Sequence, residues 1–129
     1  MDQGITTTSS LQTSSNSQEL VTDYGLDVLA ALLHETAIEK GFWSSPKNFD
    51  VFGNKIALIH SEVTEVLEAI RKNKGSEQIV EEMVDILIRT LDLYASMRNA
   101  GFVEHSLDEI LFNKMEKNKC HLIVLQHSS

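Results

Sequence analysis

Apolar residues return every three or four positions through most of this chain, in four separate blocks. That spacing puts them on one side of an α-helix. The first block, Leu26, Leu29, Ala30, Leu33 and Ala37, predicts a helix starting at a capping residue, Thr22 or Asp23. Gly41 should end it, since glycine takes the left-handed conformation of a helix stop without strain. The second block, Ile56, Ile59, Val63, Val66 and Ile70, predicts a helix over roughly 54–73, broken at Gly75. Ser76 can cap a third helix running to about Asn99, with Ile79, Met83, Ile86, Ile88, Thr90 and Leu93 on its buried side and Gly101 behind it. Ser106 and Glu109 then form a Ser-x-x-Glu capping box for a fourth helix carrying Ile110, Leu111 and Met115. No strand-like alternation of any length occurs. The pattern predicts an all-α, four-helix, bundle-like domain over 22–129.

Three stretches fall outside the helical pattern. Residues 1–21 are dominated by Ser, Thr and Gln, with nine hydroxyl residues among the twelve at 6–17. Such a stretch buries too little apolar area to offset its ordering entropy, so a flexible tail is expected. Residues 42–53 read as a loop holding the one Pro, the one Trp and three of the five Phe. Aromatics in a loop can stack a ligand's base or serve as a lid on the core. Residues 121–129 contain Leu-Ile-Val-Leu and can either dock on the bundle or pair with another chain.

Composition narrows the partners. A chain of 129 residues is one domain by the usual prior. Its net charge of −8 disfavours nucleic acid and anionic membrane, both of which require a basic field. Cys120 is the single cysteine, so no intramolecular disulfide can form, and it reads as a small buried hydrophobe. The first Lys or Arg is Lys40 and no apolar run spans a bilayer, which points to the cytoplasm.

The acidic residues give this picture its chemistry. Glu62 and Glu65 lie three apart on the second helix, and Glu82 and Asp85 three apart on the third. Residues at that spacing share a face, so each pair is a two-pronged oxygen claw on the edge of an apolar stripe. Packing the stripes together would bring four carboxylates to the bundle rim, a site for hard divalent cations that in turn hold phosphates. Lys55 lies two turns before Glu62, about 10 Å away by helix rise, within reach of a phosphate. Arg89, four residues after Asp85, can hold that carboxylate in place. A di-iron bundle would need Glu-x-x-His on two helices, and none occurs. The competing reading is a solvated acidic face that meets a basic partner protein. Trp43 is a core lid or a base platform, His34 a structural group on an apolar helix, and His60 a partner of the neighbouring acid or a packing residue.

The segments around these acids resemble the single-domain MazG-like family. They are His34-Glu35 with Glu39-Lys40-Gly41-Phe42-Trp43, then Lys55-Ile56-Ala57-Leu58-Ile59-His60-Ser61-Glu62-Val63-Thr64-Glu65, then Glu82-Met83-Val84-Asp85-Ile86-Leu87-Ile88-Arg89. The resemblance covers about residues 23–119, with the sixteen residues 66–81 as the spacer between the acid pairs. It implies an all-α nucleoside triphosphate pyrophosphohydrolase that cleaves an NTP or dNTP between the α- and β-phosphates. Family members use Mg²⁺ or Mn²⁺, two or three ions per site, and assemble as homodimers or homotetramers with sites lined by more than one chain. Carried over, Glu62, Glu65, Glu82 and Asp85 become catalytic metal ligands. Lys114 and Asn118 match a Lys and an Asn near the nucleotide, and Trp43 falls in the base pocket. The aromatic loop leans the expected substrate toward a purine deoxynucleotide, used in pool control or sanitation. After Asn118 similar chains often continue with an Arg-Pro and a His-Gly-Lys segment. Here Lys119-Cys120-His121-Leu122 follows instead, which leaves open a family member that binds nucleotide but turns it over weakly.

Overall fold

The structure is a computed structural model that describes residues 25–127, with side chains through residue 120. The expected tail over 1–21 and the expected caps Thr22 and Asp23 lie outside these residues. The described residues form four helices: α1 (Leu26–Glu39), α2 (Phe49–Arg71), α3 (Ser76–Asn99) and α4 (Leu107–His127). No strand occurs among the described residues, and none of their helices is long and apolar enough to cross a membrane. The fold is all-α and bundle-like. α3 packs against both α1 and α2, while α4 packs chiefly against α1. Ala30 and Ala95 are buried with Leu91 between α1 and α3, walled by Leu29, Leu33, Tyr94 and Leu107. Two alanines at that contact let the helix axes approach closely.

The helix ends follow backbone physics more than the expected caps. α1 stops as expected, with Gly41 at φ 83° and the N–H of Phe42 donating to the Ala37 carbonyl. α2 starts five residues before the expected position. The Asn48 side chain accepts the Val51 N–H at 3.0 Å, so Phe49 to Gly53 belong to the helix instead of the loop. Asn73, at φ 54°, is the left-handed residue that ends α2. Gly75, without a side-chain cap, precedes α3, and Ser76 is its first residue. At α4 the Ser106 hydroxyl accepts the Glu109 N–H at 3.1 Å, as the capping box predicts. The helix continues through His127, so the Leu-Ile-Val-Leu segment is helical backbone.

α1 and α4 cap each other. The Leu26 N–H, without a cap in its own helix, donates to Asp108 Oδ1 of α4 at 3.2 Å. The Leu107 N–H of α4 donates to the Asp27 carboxylate of α1 at 3.2 Å. Each N-terminus thus gains a negative charge where the helix dipole favours one. The exchange demands Gly25. Its φ is 84°, and an added Cβ would sit 2.3 Å from Asp108 Oδ2. Asp27 also accepts the Tyr94 hydroxyl at 2.6 Å and an Arg98 N–H at 3.3 Å.

Several positions expected in the core are not covered. Ile56 is 52% exposed, and Val63, Ile70, Met83 and Ile88 are likewise open, with Thr90 exposed beside them. On α4, Ile110, Leu111, Phe112 and Met115 are all exposed. Helix length explains part of this: α1 has 14 residues and α3 has 24. At 1.5 Å per residue α1 falls short of α3 by about 15 Å. Cys120, expected to be buried, is exposed as well.

The Asp27 cluster predicts an alkaline weakness. Burial and the Asp27 hydrogen bond raise the Tyr94 pKa above its ordinary value of 10.0, against the lowering effect of Arg98. The folded state therefore favours the neutral phenol. Its contribution is complete below the unfolded pKa and is lost as pH rises through the higher folded value. Tyr94→Phe should cost about 1 kcal/mol at neutral pH and flatten the stability loss above pH of about 10. Urea denaturation across that range would show it, and parallel curves for both proteins would refute it.

Candidate metal centre

α2 and α3 bring three of the four paired carboxylates together. Glu62, Glu82 and Asp85 each offer an oxygen within 4.8 Å of the others, so among the described residues they form a group able to hold a metal ion. The donor set is all carboxylate, the chemistry that hard divalent cations prefer. The helix pairing accounts for the selection. Glu62 and Glu82 are half-buried at the α2–α3 seam, whereas Asp85 and Glu65 are exposed. Glu65 lies one turn past the seam contact and stands outside the group.

Arg89 is placed differently from expectation. Its Nε donates to Glu62 Oε2 at 2.5 Å, across the helix pair instead of back along α3 to Asp85. The Glu62 side chain is 16% exposed and the Arg89 side chain 38%. A cavity of about 250 Å³ opens beside the group, lined by Glu62, Asp85, Arg89 and Asp92 with apolar Leu33, Ala37, Phe42 and Ile88.

Asp92 is the residue that sequence reading missed. It lies seven residues after Asp85 and three after Arg89, hence on the same helical face, and that register was the available signal. Its carboxylate accepts the Trp43 Nε1–H at 3.0 Å on both oxygens and lies 2.7 Å from His34 Nδ1. The Lys47 ammonium sits 3.2 Å from His34 Nε2. A lysine ammonium can only donate, so Nε2 is the acceptor and Nδ1 carries the proton that Asp92 receives. His34 is 2% exposed with both ring nitrogens engaged, a structural group as expected.

The other expected ligand contacts divide. Trp43 is half-buried, edge-on to His34 and Phe52, and its indole nitrogen is committed to Asp92. Its neighbour Phe42 reaches the cavity wall. The Lys55 ammonium donates to the Phe42 carbonyl at 2.7 Å, lies 4.4 Å from the centre of the Trp43 ring, and does not line the cavity. His60 is exposed on α2, neither packed nor facing the acids. Lys114 and Asn118 are exposed on α4 and do not line the cavity. No family model, curated protein or solved structure matches this chain.

The Asp92 network makes a stability prediction. Asp92→Asn puts an amide N–H₂ where two donors point, and should cost roughly 1.5–3 kcal/mol, the range for hydrogen bonds to a charged group. Thermal unfolding would measure the loss, and Trp43 fluorescence would shift to the red as the indole gains water. A variant with unchanged melting and emission would contradict the role given to Asp92.

Proposed function

We propose that this chain is a metal-dependent pyrophosphohydrolase of the MazG-like kind. It would hydrolyse an NTP or dNTP between the α- and β-phosphates to the monophosphate and pyrophosphate in the cytoplasm. The observation that carries the reading is the convergence of Glu62 from α2 with Glu82 and Asp85 from α3 beside a cavity. They are three of the four acids singled out by the motif resemblance, brought together by the packing of two consecutive helices.

Each residue then has a task. Glu62, Glu82 and Asp85 would hold Mg²⁺ or Mn²⁺. The chemistry supplied there would be charge neutralisation of the triphosphate and acidification of a water. Glu65, exposed one turn away, is placed to complete the ligand set or to orient that water. The apolar wall of Phe42, Leu33 and Ile88 excludes water from the ligand's side of the cavity. Lys55 and Trp43 act by fixing the loop that supplies Phe42. A purine remains the favoured base because an aromatic wall stacks a large ring well.

Assembly belongs to the same reading. Ile56, Val63 and Ile70 on α2, Val80, Met83 and Leu87 on α3, and Phe112 and Met115 on α4 are all exposed. A monomer seldom leaves so many large apolar side chains open. A homodimer or homotetramer would cover it, and would let Lys114 and Asn118 of one copy reach the site of another.

The test is pyrophosphate release from a panel of NTPs and dNTPs with Mg²⁺, with Mn²⁺ and with EDTA. Glu62→Gln should lower turnover more than about 100-fold, beyond the usual effect of losing an outer partner of a metal ligand. Full activity in that variant, or release that survives EDTA, would end the assignment. Metal alone should also raise the melting temperature, by the equivalent of about 2.7 kcal/mol at a hundredfold excess over its dissociation constant. An acidic module awaiting a basic protein partner would show no such rise.

A further inference from the structure

Arg89 is paired with one of the three carboxylates that a divalent cation would need. Its guanidinium is on Glu62, the one α2 carboxylate in the three-acid group, through a short charge-assisted hydrogen bond. Glu82, Asp85 and Arg89 sit at i, i+3 and i+7 of α3, so Arg89 rises from the same face as the other two acids. We propose that Arg89 is the resident counter-cation of this centre, and that a divalent ion competes with it for Glu62. The inference rests on the metal reading above and adds a control on it.

The charges make the case. Three carboxylates crowded within 4.8 Å repel one another, and one guanidinium offsets a third of that charge. In the metal-free protein Arg89 therefore keeps α2 and α3 together where their like charges would push them apart. When a divalent ion arrives, that benefit becomes an obstacle. The Oε2 lone pair engaged by the Arg89 Nε–H is lost to the metal, and a guanidinium beside a double positive charge is repelled. The repulsion between the guanidinium and a divalent ion is twice that from a monovalent one at the same distance. The pair and the metal are thus competitors for Glu62. Arg89 also lines the cavity, so once released it remains next to the space an anionic ligand would fill.

The experiment is Mn²⁺ binding to the full chain, followed by the loss of the free-ion electron paramagnetic resonance signal, without nucleotide. It compares the wild type with Arg89→Met, which keeps the stem and removes the charge, and Arg89→Lys, which keeps the charge and removes the planar fork. Circular dichroism checks that each is folded. Arg89→Met should bind Mn²⁺ about fivefold more tightly, the scale of a partly exposed ion pair, with Arg89→Lys between it and the wild type. Without metal, Arg89→Met should melt several degrees lower, and Mn²⁺ should raise its melting temperature by more than it raises the wild type's. Equal or weaker Mn²⁺ binding by Arg89→Met, with the wild type binding, overturns the competition and leaves Arg89 as a group that merely orients Glu62. No Mn²⁺ binding by any of the three proteins overturns the metal reading itself, and this inference with it.

Discussion

The connection beside the candidate centre is held in register by one carboxylate. Asp92 of α3 gathers His34 of α1 and Trp43 of the following connection, and through His34 it reaches Lys47. Three segments without a common helix face are fixed by a charge that is largely out of water. Desolvating that charge is costly, and the donors around it repay the cost only while all are in place. Phe42 and Lys55 take their positions from the same knot, because Lys55 bonds the Phe42 carbonyl and lies over the Trp43 ring. The cavity wall is thus a consequence of polar bonding more than of apolar packing.

That arrangement also explains why the core is small. α3 is the one helix that packs on both α1 and α2. A central rod with a short neighbour on one side and a long one on the other leaves apolar positions uncovered wherever the short neighbour ends. Burial in this chain concentrates in the C-terminal half of α3, at Leu91, Leu93, Ala95 and Ser96. The acids lie in its other half, next to the least covered part of the molecule.

The helices were legible in sequence because 3.6-residue periodicity and left-handed stops are local properties. Gly41 and the Ser106 capping box act within a few residues of themselves. What escaped was set by distant partners. The start of α1 depends on Asp108, eighty-two residues from the amide it caps. The start of α2 turned on Asn48, where an aromatic-rich stretch had suggested a loop. Helical periodicity identified Ile56, Val63 and Met83 as apolar-face residues correctly, but it cannot tell a face covered within the chain from one left open. Likewise the register of two acid pairs indicated a shared site. It could not tell that Glu65 would fall outside it, or that Arg89 would choose Glu62 over Asp85, because both depend on how far one helix is slid along the other.

The exchange of caps between α1 and α4 carries a mechanical consequence. α4 is 21 residues long and is anchored through its first turn. At 1.5 Å per residue it is a rod of about 30 Å, so a tilt of about 10° at the joint swings its far end by about 5 Å. Asp27, Asp108 and Gly25 therefore act as the pivot of a long lever. A change at any of the three would be small where it is made, and would appear as a displacement at Lys114, Asn118 and beyond, where no contact had been altered.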